Sequence, residues 1–142
     1  MTIDENNYVW QNIKGSHQLF EIYGYYPTFH DAIIRNININ FEERIFSLTL
    51  DYSDLVEDSE NTLSTRIEIN WLKVQNADFK WYAEHLYGLE FSFKDDLIKT
   101  KFEDSSGFYG EVFASKIEVT NVKTTSEIDS NEKENLIKFS IS

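Results

Sequence analysis

The sequence predicts an α+β fold that is mainly β: a strongly curved antiparallel sheet of about six to eight strands with one or two short N-terminal helices on one side. Alternating apolar and polar residues dominate positions 32–122, the main β region. Helical spacing and capping residues mark positions 1–24. The length of 142 residues corresponds to a single domain, 1–142, that is long enough to bury a core.

The N-terminal segment predicts two short helices. Asp4 is placed to cap a helix over residues 5–13, because its side chain can accept hydrogen bonds from the first free backbone N–H groups. Ser16 is placed to cap a second helix in the same way. Gly24 follows the last residue with helical spacing and predicts the end of that helix.

From Ala32 the hydrophobic period changes to two, which predicts an antiparallel hairpin with one polar face. Residues 42–44 form the predicted turn. Arg35 interrupts the apolar face and is expected near its end. The apolar positions of the two arms are Ile33, Ile37, Ile39 and Phe41, followed by Phe46, Leu48, Leu50 and Tyr52.

The middle of the chain is less regular. Residues 53–62 are polar and acidic and predict a loop, and the alternation over residues 63–71 predicts a third strand. Residues 76–88 fit two structures. Helical spacing between Asn76 and Gly88 allows a helix, whereas the high aromatic density allows an irregular strand, so both interpretations stay open.

The last third of the chain predicts further strands. Short strands are expected at 89–93 and 98–102, and a long strand at 109–122. A polar linker over 123–135 and a final edge strand over 136–142 complete the predicted order. The residues expected to share one face of the long strand are Phe113, Ile117 and Val119.

Charge is the strongest global signal. The chain has 25 acidic and 13 basic residues, a net charge of −12. Binding to nucleic acid or to an anionic membrane is not expected, because both require cationic surfaces. Two explanations of the charge stay open: a basic protein partner, since complementary fields accelerate association, and an acidic surface that serves only to keep the protein in solution.

Cellular location and cysteine chemistry follow from composition. The N-terminus lacks a basic segment and an apolar core, and no apolar run reaches the roughly 20 residues that span a bilayer, so a cytoplasmic protein is expected. The chain has no cysteine, which excludes disulfides, thiolate metal sites and thiol catalysis.

Catalytic patterns are absent from the sequence. His30-Asp31 is superficially similar to the pair of metal-dependent phosphohydrolases, but the other two histidines, His17 and His85, do not supply the spacing of that signature. The pair is therefore predicted to be buried and structural, with Asp31 accepting backbone N–H groups and His30 joining the helices to the sheet. Neither a nucleophile elbow nor a phosphate-binding glycine loop is present, so neither an enzyme nor a metal or other cofactor is expected.

The segment Gly-Tyr-Tyr-Pro-Thr-Phe-His-Asp-Ala, within residues 15–32, resembles the N-terminal motif of the immunity protein 50 family of bacterial polymorphic-toxin systems. Weaker similarity extends to residues 107–110 and 117–122, whereas 81–89 lacks the family's asparagine-containing element. The resemblance implies an immunity protein that binds and neutralises a cognate toxin, without identifying that toxin. The residues that carry the motif are Gly24, Pro27, Phe29, His30 and Asp31.

Acidic residues are the candidate contacts with such a toxin, because they suit a basic partner such as a nuclease with a cationic cleft. Two other classes stay open, a small-molecule-binding module and a structural or oligomerisation domain, and the oligomeric state is left open as well. The candidate contacts are Asp51, Asp54, Glu57, Asp58, Glu60, Asp95, Asp96, Glu103 and Asp104.

Overall fold

The computed structural model describes residues 5–103 and 107–124, which form two short helices and one antiparallel sheet. The helices are α1, Glu5–Gln11, and α2, His17–Tyr23. The strands are β1 Ala32–Asn40, β2 Ile45–Leu55, β3 Thr62–Trp81, β4 His85–Leu86, β5 Leu89–Lys94, β6 Leu97–Phe102 and β7 Phe108–Thr124. The predicted fold class is confirmed. Neither described helix has the length and apolar character needed to cross a membrane.

The sheet curls into a half-barrel, and one chain segment joins its two ends. Its strand order is β4-β1-β2-β3-β7-β6-β5. β4 pairs with the start of β1, and β5 pairs with β6 at the other end of that order. Only Tyr87 and Gly88 separate β4 from β5. The chain from β4 to β5 therefore spans the gap between the first and last strands.

The helices fill the concave face of the sheet. Trp10 of α1 is fully buried, with its ring centroid 4.9 Å from that of Phe91 and 5.6 Å from that of Tyr26, on which it stacks. Tyr23 of α2 is also buried, and its hydroxyl lies 2.9 Å from Oγ1 of Thr65. Removal of these large aromatic surfaces from water is the main force that holds the helices on the sheet.

The link between the two helices runs directly against β7. The backbone N–H of Val119 donates to the carbonyl of Lys14 at 2.8 Å. Gly15 has a φ of +86°, and a Cβ at this position would collide with the carbonyl oxygen of Val119. Glycine is therefore required here both for its backbone conformation and for the close approach of the two chains.

The helix boundaries agree only partly with the prediction. Gly24 ends α2 in the left-handed conformation, with a φ of 85° and its N–H donating to the Phe20 carbonyl. Ser16 occupies the N-cap position of α2, as predicted, but its hydroxyl donates to the carbonyl of Trp10 at 2.6 Å and makes no capping bond. α1 ends at Gln11, and Asp4 lies outside the described residues.

A bulge in β1 corrects the predicted apolar face of the hairpin. Ile34 faces the core opposite Leu50, and the register shifts before Asn36. Ile33 therefore lies opposite Asp51 on the convex face, where the predicted alternation had placed it with the core residues. The extra residue, Arg35, absorbs the change of phase.

Phe113 is likewise on the opposite face from the one predicted. Ile117 and Val119 are buried, but Ser115 and Lys116 are both exposed, so the alternation of β7 changes phase between Phe113 and Ile117. The ring of Phe113 instead lies 5.5 Å from the ammonium of Lys94.

The predicted loop at 53–62 is too long, and the helical interpretation of 76–88 is wrong. β2 continues to Leu55 and β3 begins at Thr62. β3 then extends to Trp81, because β7 pairs with it as far as Trp81 and Phe108. Three stretches of the chain, 1–4, 104–106 and 125–142, are outside the described residues. Most of the predicted linker and all of the predicted final strand lie in the last of them.

Candidate functional site

The segment between α2 and β1 combines buried anchors with an exposed end. Pro27 and Phe29 are buried, and the Phe29 ring packs edge-on against Tyr52 at 5.1 Å between centroids. Phe29 and Asp31 have positive φ values of 61° and 64°. Such conformations are uncommon for residues other than glycine, although Asp adopts them more readily than Phe. They turn Phe29 into the core and leave His30 and Asp31 on the surface.

Asp31 joins two histidines that are far apart in the sequence. Nδ1 of His30 lies 2.9 Å from one carboxylate oxygen, and Nε2 of His85 lies 3.1 Å from the other. The ring of Tyr87 contacts both imidazoles, at centroid distances of 5.8 and 5.1 Å. We call these four residues the imidazole–carboxylate cluster.

The cluster corrects the prediction of a buried pair. The His30 and Asp31 side chains are 64% and 59% exposed. The carboxylate of Asp31 meets imidazole nitrogens, where the sequence had predicted backbone N–H groups. His30 contacts Asp31 and Tyr87, so it joins the start of β1 to the chain beyond β4 and does not link the helices to the sheet.

Asp54 lies beside the cluster in a second polar group. The hydroxyl of Tyr52 donates to its carboxylate at 2.6 Å, and the N–H of Leu55 donates at 2.7 Å. The Tyr52 hydrogen bond is the main cause that holds the pKa of Asp54 below its ordinary value, against its partial burial, and the nearby His30 acts in the same direction. Burial and the charge of Asp54 raise the pKa of Tyr25 to about 12.

The cluster shares one feature with general-base sites. A carboxylate on Nδ1 orients an imidazole, as in general-base catalysis, but catalysis also requires an enclosed reactive position. The His30 side chain is mostly exposed, and the open cavities near Val74 and near Tyr109 have walls made by other residues. Within the described chain, no three His, Cys, Asp or Glu side chains are grouped to hold a metal ion.

Asp51, the first predicted contact residue, belongs to the convex face of the sheet. Its carboxylate accepts hydrogen bonds from Nε of Arg35 at 2.7 Å and from Nε and Nη2 of Arg66 at 2.7 and 2.8 Å. Burial acts to raise the pKa of Asp51, but the hydrogen bonds and charges of the two arginines outweigh it and hold the pKa below its ordinary value of 3.8. Asp51 therefore balances the charge of the nearly buried Arg66.

The structure corrects the placement of Asp54 and assigns the acidic loop to residues 56–61. Asp54 lies in β2 and not in a loop, on the opposite face from Asp51. The N–H of Glu57 donates to the carbonyl of Tyr23 at 2.8 Å, which attaches this turn to the end of α2. The exposed acidic residues of the turn are Glu57, Asp58 and Glu60.

The remaining predicted contacts are divided between two places. Glu103 follows β6, and its carbonyl accepts the N–H of Tyr87 at 3.1 Å, so it lies next to the cluster. Asp95 and Asp96 lie in the β5–β6 turn, at the other end of β5 from Tyr87. Asp104 lies outside the described residues.

Sequence reasoning missed the part of the cluster contributed by β4. His85 and Tyr87 flank the buried Leu86, which is the pattern of one strand residue facing inward and its neighbours outward. That pattern was a usable signal, but the interpretation of 76–88 as a helix or an irregular strand obscured it.

Comparison of the chain with protein-family models, with curated proteins and with solved structures finds no match. The resemblance of residues 15–32 to the immunity protein 50 family therefore stays a prediction.

Proposed function

We propose that this protein is an immunity protein that binds a cognate bacterial toxin in a one-to-one complex and neutralises it in the cytoplasm, without catalysis. The observation that carries the proposal is the exposure of His30 and Asp31. These two residues end the segment that resembles the immunity family, and they lie on the surface where a partner can reach them.

The geometry of the segment suits a binding surface. Pro27 and Phe29 are buried and anchor the segment to the core, so little conformational entropy remains to be lost when a partner binds. Tyr87 is 47% exposed and offers an aromatic ring beside the carboxylate of Asp31. Aromatic residues next to fixed polar groups are typical of the residues that contribute most to protein–protein affinity.

Charge favours a basic toxin. The acidic turn 56–61 is attached to the end of α2, and Asp54 and Glu103 lie beside the cluster. In a chain with a net charge of −12, this edge presents a negative field to a positively charged cleft. A nuclease has such a cleft, because it binds phosphates, and the proposed complex would mask it.

The proposed contact set differs from the predicted one. The proposed contact set adds Asp31 and keeps Asp54, Glu103 and the acidic turn 56–61. Asp51 is left out because two arginines already neutralise it on the convex face. Asp95 and Asp96 are left out because they lie at the far end of β5.

The test is binding to the toxin domain encoded beside the gene, measured by association kinetics at low and moderate salt. We expect a one-to-one complex that abolishes toxicity. Replacing Glu57 and Glu60 by Gln should slow association about threefold or more at low salt, since rim charges act mainly on the association rate. Asp95→Asn with Asp96→Asn removes the same charge elsewhere and serves as the matched control. Absence of a complex, with toxicity unchanged, would refute the proposal.

A second candidate function is the binding of a small apolar molecule. An open cavity of about 330 Å³ lies between the β1–β2 turn and β3. Ile39, Phe46, Val74 and Phe79 are in its wall. The large aromatic ring of Trp71, on the same strand as Val74, is fully buried in the core and is not in the cavity wall. A thermal-shift screen separates this candidate from toxin binding, because a ligand that binds the folded state raises the melting temperature.

A further inference from the structure

The gap in the half-barrel lies between two strand edges, and only the β5 edge is covered by another element of the described chain. On the β5 side, the N–H of Phe91 donates to the side chain of Asn6 at 2.8 Å, and the N–H of Phe93 donates to Glu5 at 3.0 Å. The ring of Tyr8 packs edge-on against Phe93. α1 therefore satisfies the outward backbone donors of β5 and blocks this edge against another strand.

The β1 side has no such cover in the described residues. β4 pairs only with Ala32 and Ile33, and the N–H of Ile34 donates to the carbonyl of Glu84 at 2.7 Å. Over 36–40, none of the strands in residues 5–103 and 107–124 pairs with β1 on the side away from β2. No described strand takes up the outward backbone groups along this stretch, and an edge of this kind favours pairing with another strand.

The side chains do not protect this edge. Natural edges are usually blunted by lysine, proline or inward-pointing charges, and residues 36–41 contain none of these. Ile39 is 43% exposed on the inner face, and Phe41, just after β1, is 87% exposed. On the convex face, residues 36–40 present only asparagine side chains. Such an edge favours the addition of a strand from another chain.

We propose that a second copy of this protein pairs antiparallel with the β1 edge, with the two-fold axis passing through Asn38. The sequence Asn-Ile-Asn-Ile-Asn over 36–40 reads the same in both directions about Asn38. Two-fold pairing places Asn38 opposite its own copy and Ile37 opposite Ile39 of the second copy. Every pair within residues 36–40 therefore matches in polarity, as suits an isologous interface.

Charge complementarity supports the second copy as the occupant. The same register places Arg35 opposite Phe41 of the second copy, immediately before that copy's Glu42 and Glu43. Arg35 and Arg66 share the single carboxylate of Asp51, which leaves one net positive charge near this end of the strand. It faces the turn of residues 42–44 of the second copy, which carries one net negative charge. No like charges lie directly opposite each other along the paired stretch. This interface is separate from the imidazole–carboxylate cluster and does not depend on the proposed function.

Cysteine cross-linking tests the register, because the chain contains no cysteine of its own. Directly opposite residues have Cβ atoms about 4.5–5.5 Å apart, close to the separation that a disulfide spans. We expect Asn38→Cys to form a disulfide-linked dimer under mild oxidation. Asn36→Cys and Asn40→Cys should each fail alone, because like residues would lie about 13 Å apart, but an equimolar mixture of the two should cross-link.

Light scattering across concentrations tests the dimer itself, with an expected mass twice the 16.8 kDa of the chain. Ile39→Lys should raise the dimer dissociation constant at least about tenfold, because it places a charge on the paired edge. Phe93→Lys is the matched control, since Phe93 is 45% exposed on the covered edge, and it should leave the dimer unchanged. If Ile39→Lys fails to fold, the cysteine variants decide the question.

Three results would overturn the proposal: a monomer at every concentration, a dimer indifferent to Ile39→Lys, or equal cross-linking at all three cysteine positions. In a monomer, amide hydrogen exchange would identify what occupies the edge instead. Protected β1 amides would assign the edge to another segment of the same chain. Rapid exchange would show that no segment of the chain covers the edge, which would then be open to a different protein.

Discussion

The carboxylates of Asp51 and Asp31 each contact two nitrogen-bearing side chains, but Asp51 is mostly buried and Asp31 is mostly exposed. Each is held between two nitrogen-bearing side chains, Asp51 by Arg35 and Arg66, and Asp31 by His30 and His85. Asp51 is 24% exposed and Asp31 is 59% exposed. Asp51 therefore neutralises charge within the sheet, whereas the carboxylate of Asp31 is accessible at the surface.

The difference lies in the partners as much as in burial. Arginine is always charged, so Asp51 and Arg66 form a permanent pair in which each neutralises the other within the sheet. The imidazole rings around Asp31 lie at the surface, where a binding partner can replace their contacts. The first arrangement suits stability and the second suits recognition.

The largest expected effect is on stability, from Asp51→Asn. The substitution keeps the shape of the side chain but leaves the nearly buried Arg66 without its opposite charge. We expect a loss of about 2–4 kcal/mol in the free energy of unfolding, below the fully buried limit because Asp51 is partly exposed. Urea unfolding measures it. A loss under about 0.5 kcal/mol would remove the distinction between the two carboxylates.

A smaller effect is expected on the acid side of the pH profile. Asp51 and Asp54 have folded-state pKa values below the ordinary 3.8. Their stabilisation is therefore complete well above pH 3.8 and is lost as the pH falls through that value towards the folded-state pKa values. Urea midpoints measured between about pH 6 and pH 2 should fall. The fall should be shallower in Asp51→Asn, and an unchanged slope would contradict the role assigned to Asp51.

The smallest effect on stability is expected from Asp31→Asn, the matched substitution at the exposed carboxylate. We expect less than about 1 kcal/mol, because exposed ion pairs contribute little and asparagine tolerates the positive φ of this position. Binding to the toxin should nevertheless weaken about tenfold. A large loss of stability, or unchanged toxin affinity, would make Asp31 structural and remove it from the proposed contact set.

Local pattern was sufficient to predict the hairpin and the end of α2. Period-two alternation predicted both arms of the β1–β2 pair, and Gly24 predicted the helix end because only a left-handed residue fits there. The bulge at Arg35 was not predictable from alternation. The extra residue, Arg35, donates to Asp51 on the neighbouring strand, a contact that the pattern within one strand does not reveal.

Long-range contacts decided what the sequence left open. Residues 76–81 are a strand because β7 pairs with them, a contact between distant parts of the chain. The candidate site was only half predictable for the same reason. Its motif drew attention to His30 and Asp31, but their exposure and their link to His85 depend on where the chain beyond β3 returns to β1.

The cover that α1 provides for β5 has a consequence for how the chain folds during synthesis. The bond from Phe93 to Glu5 joins residues 88 positions apart, and that from Phe91 to Asn6 joins residues 85 positions apart. Trp10 cannot reach its place against Phe91 until most of the chain has left the ribosome. Contacts of such high sequence separation make folding slow. α1 therefore reaches its native contacts with β5 only after residues 89–94 have been synthesised, although its own residues precede β5 in the chain.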